Sequence, residues 1–213
     1  KGGFNKVLQS IESIAVRYGA KFNYNSDVRE IMVDDKGVAT GIRLGNGDMV
    51  TSDIVICNAD LVYAYNSLLP KTSYAKTLGN KELTSSSISF YWSMNTVVWQ
   101  LQAHNVFLAK DYRESFDQIF KDLTMPEEPS FYVNVPSRID PTAAPDGRDT
   151  IVVLIPTGHI SDRVNVDLDL LVKRARNQVI ETLEKRLKIT DFRSMIDNEI
   201  VNDPRTWQNK FNL

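Results

Sequence analysis

The chain has 213 residues, 42% hydrophobic and 24% charged, ordinary globular proportions with enough length to bury one large core or two smaller ones. Its net charge of -2 excludes the basic surplus that a nucleic-acid partner requires. No run of about 18 apolar residues is present to span a bilayer, no secretory signal opens the chain, and the single Cys57 cannot form an internal disulfide, so the expected setting is intracellular and reducing.

Phe4, Val7, Leu8, Ile11, Ile14, Ala15 and Tyr18 recur at helical spacing, and Gly19 follows as a stop, which predicts an amphipathic helix. A strand is expected near Ala20–Tyr24, a second over Val28–Val33 and a third over Val38–Leu44, with turns at Asp34-Asp35-Lys36-Gly37 and Asn46-Gly47. Such turns punctuate hairpins, so an antiparallel meander is predicted. Asp53-Ile54-Val55-Ile56-Cys57 reads as a strand of a parallel sheet buried on both faces, with Cys57 an inert buried thiol.

A short helix is expected over Leu61–Leu69, ending at Pro70, and the polar stretch from Lys71 to Ser87 shows no clear periodicity. Ile88, Phe90, Trp92 and Met94 alternate with Ser89, Tyr91 and Ser93, predicting a strand with one large apolar face. Val106–Ala109 and Ser130–Val135 are further strand candidates, and Tyr112, Phe116, Ile119 and Phe120 mark a helix. Pro136, Pro141, Pro145 and Gly147 force an extended loop with a turn at Pro145-Asp146-Gly147. Thr150–Pro156 then reads as a strand covered on both faces, and Leu168, Leu171, Val172, Ala175, Val179, Leu183 and Leu187 as a long helix.

Few residues carry recognisable chemistry. His104 and His159 are the only histidines and neither has a partner ligand at helical spacing, so no metal site is expected. Ser137 lacks the glycines of a nucleophile elbow. Gly45-Asn46-Gly47 contains a G-x-G, but with no helix after it to meet a phosphate it is a hairpin turn. Val28 by itself reads as core, and Asn58 as a helix cap. The aromatic series Phe90, Tyr91, Trp92 and Trp99, with Tyr132, is open to two readings: strand core, or the wall of a long apolar tunnel.

Pro136-Ser137-Arg138, Asp140-Pro141, Ala144-Pro145, Gly147, Asp149-Thr150 and the strand to Pro156 together resemble the bacterial and fungal type of phytoene desaturase, most closely the fungal enzymes, within the flavin amine-oxidase superfamily. Gly2-Gly3-Phe4, Val28-Arg29-Glu30-Ile31 and Asp53–Asp60 resemble further landmarks of that superfamily in the same order. The resemblance implies an α/β fold and, for the parent protein, two domains: a Rossmann-like FAD domain with an antiparallel β-meander, and an α+β substrate domain built on a mixed sheet. The chain is expected to be an internal fragment, with residues 1–66 the later part of the FAD domain, 67–200 the substrate domain and 201–213 returning toward the first.

The implied activity is FAD-dependent desaturation of phytoene in carotenoid biosynthesis, with the fragment inactive alone and NAD a candidate electron acceptor. Val28 and Asn58 are the implied cofactor-binding residues. Phe90, Tyr91, Trp92 and Tyr132 are the candidate tunnel residues for a long apolar polyene, and no catalytic acid or base can be picked. A peripheral membrane location follows from a membrane-soluble substrate. Two alternatives stay open: a non-enzymatic protein that binds isoprenoid or prenylated partners, and a flavin amine oxidase.

Overall fold

The computed structural model describes residues 2–81, 83–160 and 165–212. Contacts divide the chain into two compact units, Lys1–Ser13 with Leu83–Trp207, and Ile14–Glu82 with Gln208–Leu213.

The larger unit is built on a five-stranded sheet in the order β5-β6-β7-β4-β8. Its strands are β4 (Ser86–Met94), β5 (His104–Phe107), β6 (Phe131–Asn134), β7 (Thr150–Thr157) and β8 (Ile196–Asn202). Every pairing among them is antiparallel, where a mixed sheet was expected. β7 and β8 both flank β4, so the chain must cross over β4 between them, and the helix Leu168–Leu187 makes that crossing. Along β4, Ile88, Phe90, Trp92 and Met94 point to one face and are buried with Phe131, Val133, Ile151, Val153 and Ile155 from the neighbouring strands. The long helix covers this face with Leu171, Ala175, Val179, Ile180 and Leu183. Asp167 caps its start by accepting from the Asp169 and Leu170 N–H groups.

β7 departs from expectation. Ile151, Val153 and Ile155 are buried, but Val152 is only half-buried and Leu154 is exposed. The helix layer covers one face only, so a continuous apolar run here does not mean cover on both sides.

The smaller unit is a meander of β1 (Val28–Val33), β2 (Ala39–Leu44) and β3 (Met49–Thr51). Its first turn forms because the Asp34 carboxylate accepts from the Lys36 and Val38 N–H groups, both at 2.9 Å, with Gly37 at φ 81. Gly41 is required by close approach: a Cβ there would lie 2.1 Å from the Val50 carbonyl oxygen of β3. After the meander come a short helix, Leu61–Tyr63, continued by a wider turn to Leu68, and a helix Ser73–Gly79. The latter was missed in a stretch that looked aperiodic; Thr72 caps it and Ala75 and Leu78 anchor it.

Two expected strands are absent. Residues 20–23 are irregular and lead into a turn, and residues 53–57 pair with no strand among the described residues. Ile54 is 77% and Ile56 89% exposed, and Cys57, expected to be buried, is exposed as well. A parallel-sheet strand needs a neighbour brought by a crossover, and none of the described residues supplies one. The helix Gly3–Arg17 forms as predicted but buries none of its residues.

Candidate functional site

The two residues proposed for cofactor binding are brought into one cleft of the smaller unit. Val28, Ile31, Ile42, Val50, Leu68 and the segment Ile54–Ala59, including Asn58, line a space of about 390 Å³. Val28 and Ile31 are three residues apart, and strict alternation would place them on opposite faces. The pairing with β2 shifts register between Val28 and Glu30, and this bulge re-phases β1 so that both line the cleft. β1 is also an edge strand, which leaves alternate backbone groups along it without a strand partner. Asn58 is exposed, and the cap of the helix that follows is Asp60, whose side chain accepts from the Tyr63 N–H at 3.0 Å.

The candidate tunnel residues separate by face. Phe90 and Trp92 are 0% exposed. Their rings stack with centroids 5.6 Å apart, and Trp92 lies 5.8 Å from Phe192. The Trp92 indole N–H donates to Glu199 at 2.7 Å, and Arg176 grips the same carboxylate with Nε and a terminal nitrogen while lying over the Phe90 ring. Burial raises the Glu199 pKa, but the hydrogen bonds from Arg176 and Trp92 outweigh it and hold the group below the usual range.

Tyr91 and Tyr132 occupy the opposite face of the sheet. Tyr91 pairs with Val152 on one side and Ile200 on the other, while Tyr132 pairs with Leu154 and Val106. Val106, Leu154 and Ile200 are exposed, so an open apolar strip crosses all five strands. At its edge the Tyr132 hydroxyl lies 2.6 Å from His104 Nδ1. Sequence reasoning missed Val106, Val152, Leu154 and Ile200. The signal was present in β7, where every second apolar residue belongs to the face away from Ile151, Val153 and Ile155.

The proline-rich loop proves to be a scaffold. Two short turns, Pro136–Arg138 and Pro141–Ala143, carry it from β6 toward β7. Arg138 meets the 2%-exposed Asp149 with two bonds, at 2.5 and 2.8 Å, and its other donors reach the carbonyls of Val98 and Leu101. Asp149 also accepts from the Ser137 hydroxyl and the Val98 N–H. Burial raises its pKa, and these donors together bring it below the ordinary carboxylate value. Thr150 donates to the Ala143 carbonyl at 2.7 Å. The polar groups of this loop answer one another and leave little for a substrate.

No family model matches the chain. Individual relatives do. Over its full length the chain is 54% identical to the phytoene desaturase of Phycomyces blakesleeanus, covering 37% of that protein, and 49% identical to that of Fusarium fujikuroi, covering 40%. Along its whole length the chain is a homologue of part of the phytoene desaturases.

A zeta-carotene-forming phytoene desaturase from Myxococcus xanthus is 42% identical over 75% of the chain and 31% of its own length. The chain thus spans about two fifths of the length of the phytoene desaturases it matches most extensively. Among solved structures, an oxidoreductase from Methanosarcina mazei superposes with a TM-score of 0.64 at 16% identity, over 95% of this chain and 43% of that one. A reduced UDP-galactopyranose mutase superposes at 0.54 and 14% identity, over 90% and 38%. These two establish the fold alone: the chain shares its arrangement of helices and sheets with a part of each.

Proposed function

We propose that the full-length protein is an FAD-dependent carotenoid desaturase acting on phytoene. The observation that carries this reading is the 54% identity along the whole chain to a phytoene desaturase. The relatives named above are desaturases, which favours this activity over isoprenoid carriage or amine oxidation.

The cleft beside β1 suits one part of FAD. Its apolar lining would take one face of a flat ring such as adenine, the backbone edge of β1 near Val28 would bond the ring's polar rim, and Asn58 would add a polar group to the same lining. Nothing in the chain supplies the glycine-rich turn that meets a pyrophosphate. When bound, FAD supplies the hydride acceptor. The chain's own contribution would be to hold the polyene. A hydrocarbon offers no hydrogen-bonding group, so it must be held by shape and apolar contact. The open strip of Tyr91, Tyr132, Val152, Leu154 and Ile200 is such a surface, whereas Phe90 and Trp92 belong to the packed core behind it.

No helix among the described residues is long and apolar enough to cross a membrane. The helix Tyr112–Phe120 nevertheless carries Tyr112, Phe116 and Phe120 on one exposed face, with successive ring centroids 4.7 and 5.3 Å apart. We assign this stripe to peripheral contact with the membrane that holds the substrate. Phe116→Asp should reduce co-sedimentation of the full-length protein with phosphatidylcholine vesicles; unchanged binding would remove the stripe from that role.

Expression of the full-length protein with phytoene tests the activity. The expected result is a bound flavin spectrum and products absorbing at longer wavelength. A flavoprotein that leaves phytoene unchanged and oxidises an amine would overturn it. Supplying NAD or oxygen separately identifies the electron acceptor. The 213-residue chain alone should not retain FAD through gel filtration.

A further inference from the structure

The strand registers lay the open face of the five-stranded sheet out in two rows that run from β8 to β5. In one, Ile200, Tyr91 and Val152 give way to Asn134 and His104; in the other, Asn202 and Ser89 give way to Leu154, Tyr132 and Val106. The apolar strip therefore changes row at β7 and crosses the strands diagonally, with polar residues in the two corners beside it. At the β8–β4 corner Ser89 is 3% exposed and out of a ligand's reach. The β6–β5 corner is open, with Asn134 half-buried and His104 exposed.

Across the strands the strip matches an isoprenoid chain. Neighbouring strands lie about 4.7–4.9 Å apart. Three bonds of extended backbone advance about 3.3–3.6 Å, so the four chain carbons of a trans isoprenoid unit advance about 4.4–4.8 Å at the same rise per bond. One unit therefore falls on each strand, and the four spacings from β8 to β5, roughly 19 Å, take about four units.

At the β5 end the strip acquires a polar side. The Tyr132 hydroxyl lies 2.6 Å from His104 Nδ1, and the two rings stack with centroids 6.1 Å apart. Asn134 Nδ2 donates to the Ala103 carbonyl at 2.8 Å and lies 3.5 Å from the same His104 nitrogen. A phenol and a neutral imidazole hold two polar hydrogens between them. Their mutual bond uses one in either tautomer, so one O–H or N–H donor and one acceptor remain for a third group. A hydrocarbon passing over this corner would strip water from the pair and give nothing back. A hydroxyl or keto oxygen would restore the lost bond. We propose that, besides hydrocarbon polyenes, the strip binds isoprenoid chains that end in a hydroxyl or keto group, seated on the Tyr132–His104 pair with the chain running back toward Ile200. This specificity rests on the assignment of the strip to the polyene.

The probe is retinol, a polyene alcohol built of four isoprenoid units. It is compared with axerophtene, its hydrocarbon counterpart with a methyl group in place of the alcohol carbon, by fluorescence titration of the full-length protein. Retinol should bind about tenfold more tightly, the worth of one hydrogen bond. Replacing the pair, Tyr132→Phe with His104→Leu, should remove that margin and leave axerophtene affinity unchanged or higher. Tyr132→Phe alone, which keeps the ring and its packing, should lose part of the margin and guards against a double variant that fails to fold. Leu154→Asp, in the middle of the strip, should weaken both probes and slow phytoene conversion. If Leu154→Asp changes neither, the strip does not hold the polyene and both readings fall. If it weakens both probes, yet retinol binds the wild type no more tightly than axerophtene does, the strip stands and the end-group proposal is overturned. Equal retinol affinity of the wild type and the folded pair variant would overturn it in the same way.

Discussion

The two units of the chain put similar apolar runs to opposite ends. In Leu83–Trp207, alternation along β4 becomes a core because β7, β8 and the long helix each present a complementary apolar row. In Ile14–Glu82, the run Ile54-Val55-Ile56 is at least as apolar, yet Ile54 and Ile56 remain in the open. The first case shows hydrophobic patterning satisfied within the chain; the second shows the same patterning with its counterpart missing from the described residues. Burial is a property of the pair of surfaces, and a strand's own sequence supplies only half of it.

Trp92→Ala should give the largest effect in sharpening that contrast. Truncating a fully buried Trp costs about 3–5 kcal/mol through lost contacts and a new cavity. Chemical denaturation of the chain measures it. In the full-length protein a small stability loss with altered product ratios would instead return Trp92 to the substrate channel.

Arg138→Leu ranks next. It leaves Asp149 buried without a counter-ion, and breaking such a pair costs about 3 kcal/mol or more. Denaturation reads this too, and a loss under about 1 kcal/mol would mean the loop is held by other contacts.

An acid titration should distinguish the units without mutation. Asp149 and Glu199, both in the larger unit, have pKa values depressed by the fold. As pH falls, the unfolded chain takes up protons before the folded one, so their stabilising effect is complete above about pH 5 and declines below it. Arg138→Leu should flatten that decline; an unaltered slope would assign it to other carboxylates.

Ile56→Asp should have the smallest effect, within about 0.5 kcal/mol in this chain, because the side chain is already 89% exposed. In the full-length protein the same substitution should lower folded yield and flavin content if another segment covers this run. A large loss in the chain alone would show that Ile56 is packed here after all.

Much of the larger unit was legible in the sequence. The alternation of Ile88, Phe90, Trp92 and Met94 encodes both the strand and its inner face, and the spacing from Leu168 to Leu187 encodes the helix above it. The hairpin turns at Gly37 and Gly47 were equally plain, because positive φ leaves few residue choices. What could not be read was information held by neighbours. Whether Leu154 is covered depends on the far face of the sheet, and whether Ile54–Cys57 pairs depends on strands elsewhere. Val28 and Asn58 could be named from their resemblance, but their shared cleft depends on a bulge that changes register without marking the sequence.

The mutual bonding of Ser137, Arg138 and Asp149 bears on how homologues are sorted. A motif whose side chains are occupied with one another reports ancestry and architecture, and can persist in a descendant that has lost or exchanged its chemistry. Residues on the exposed strip face no such internal constraint, so they are free to diverge with the shape of the molecule they meet. Telling phytoene desaturases from relatives with other substrates should therefore depend less on the proline-rich loop than on the residues standing at positions 91, 106, 132, 152, 154 and 200.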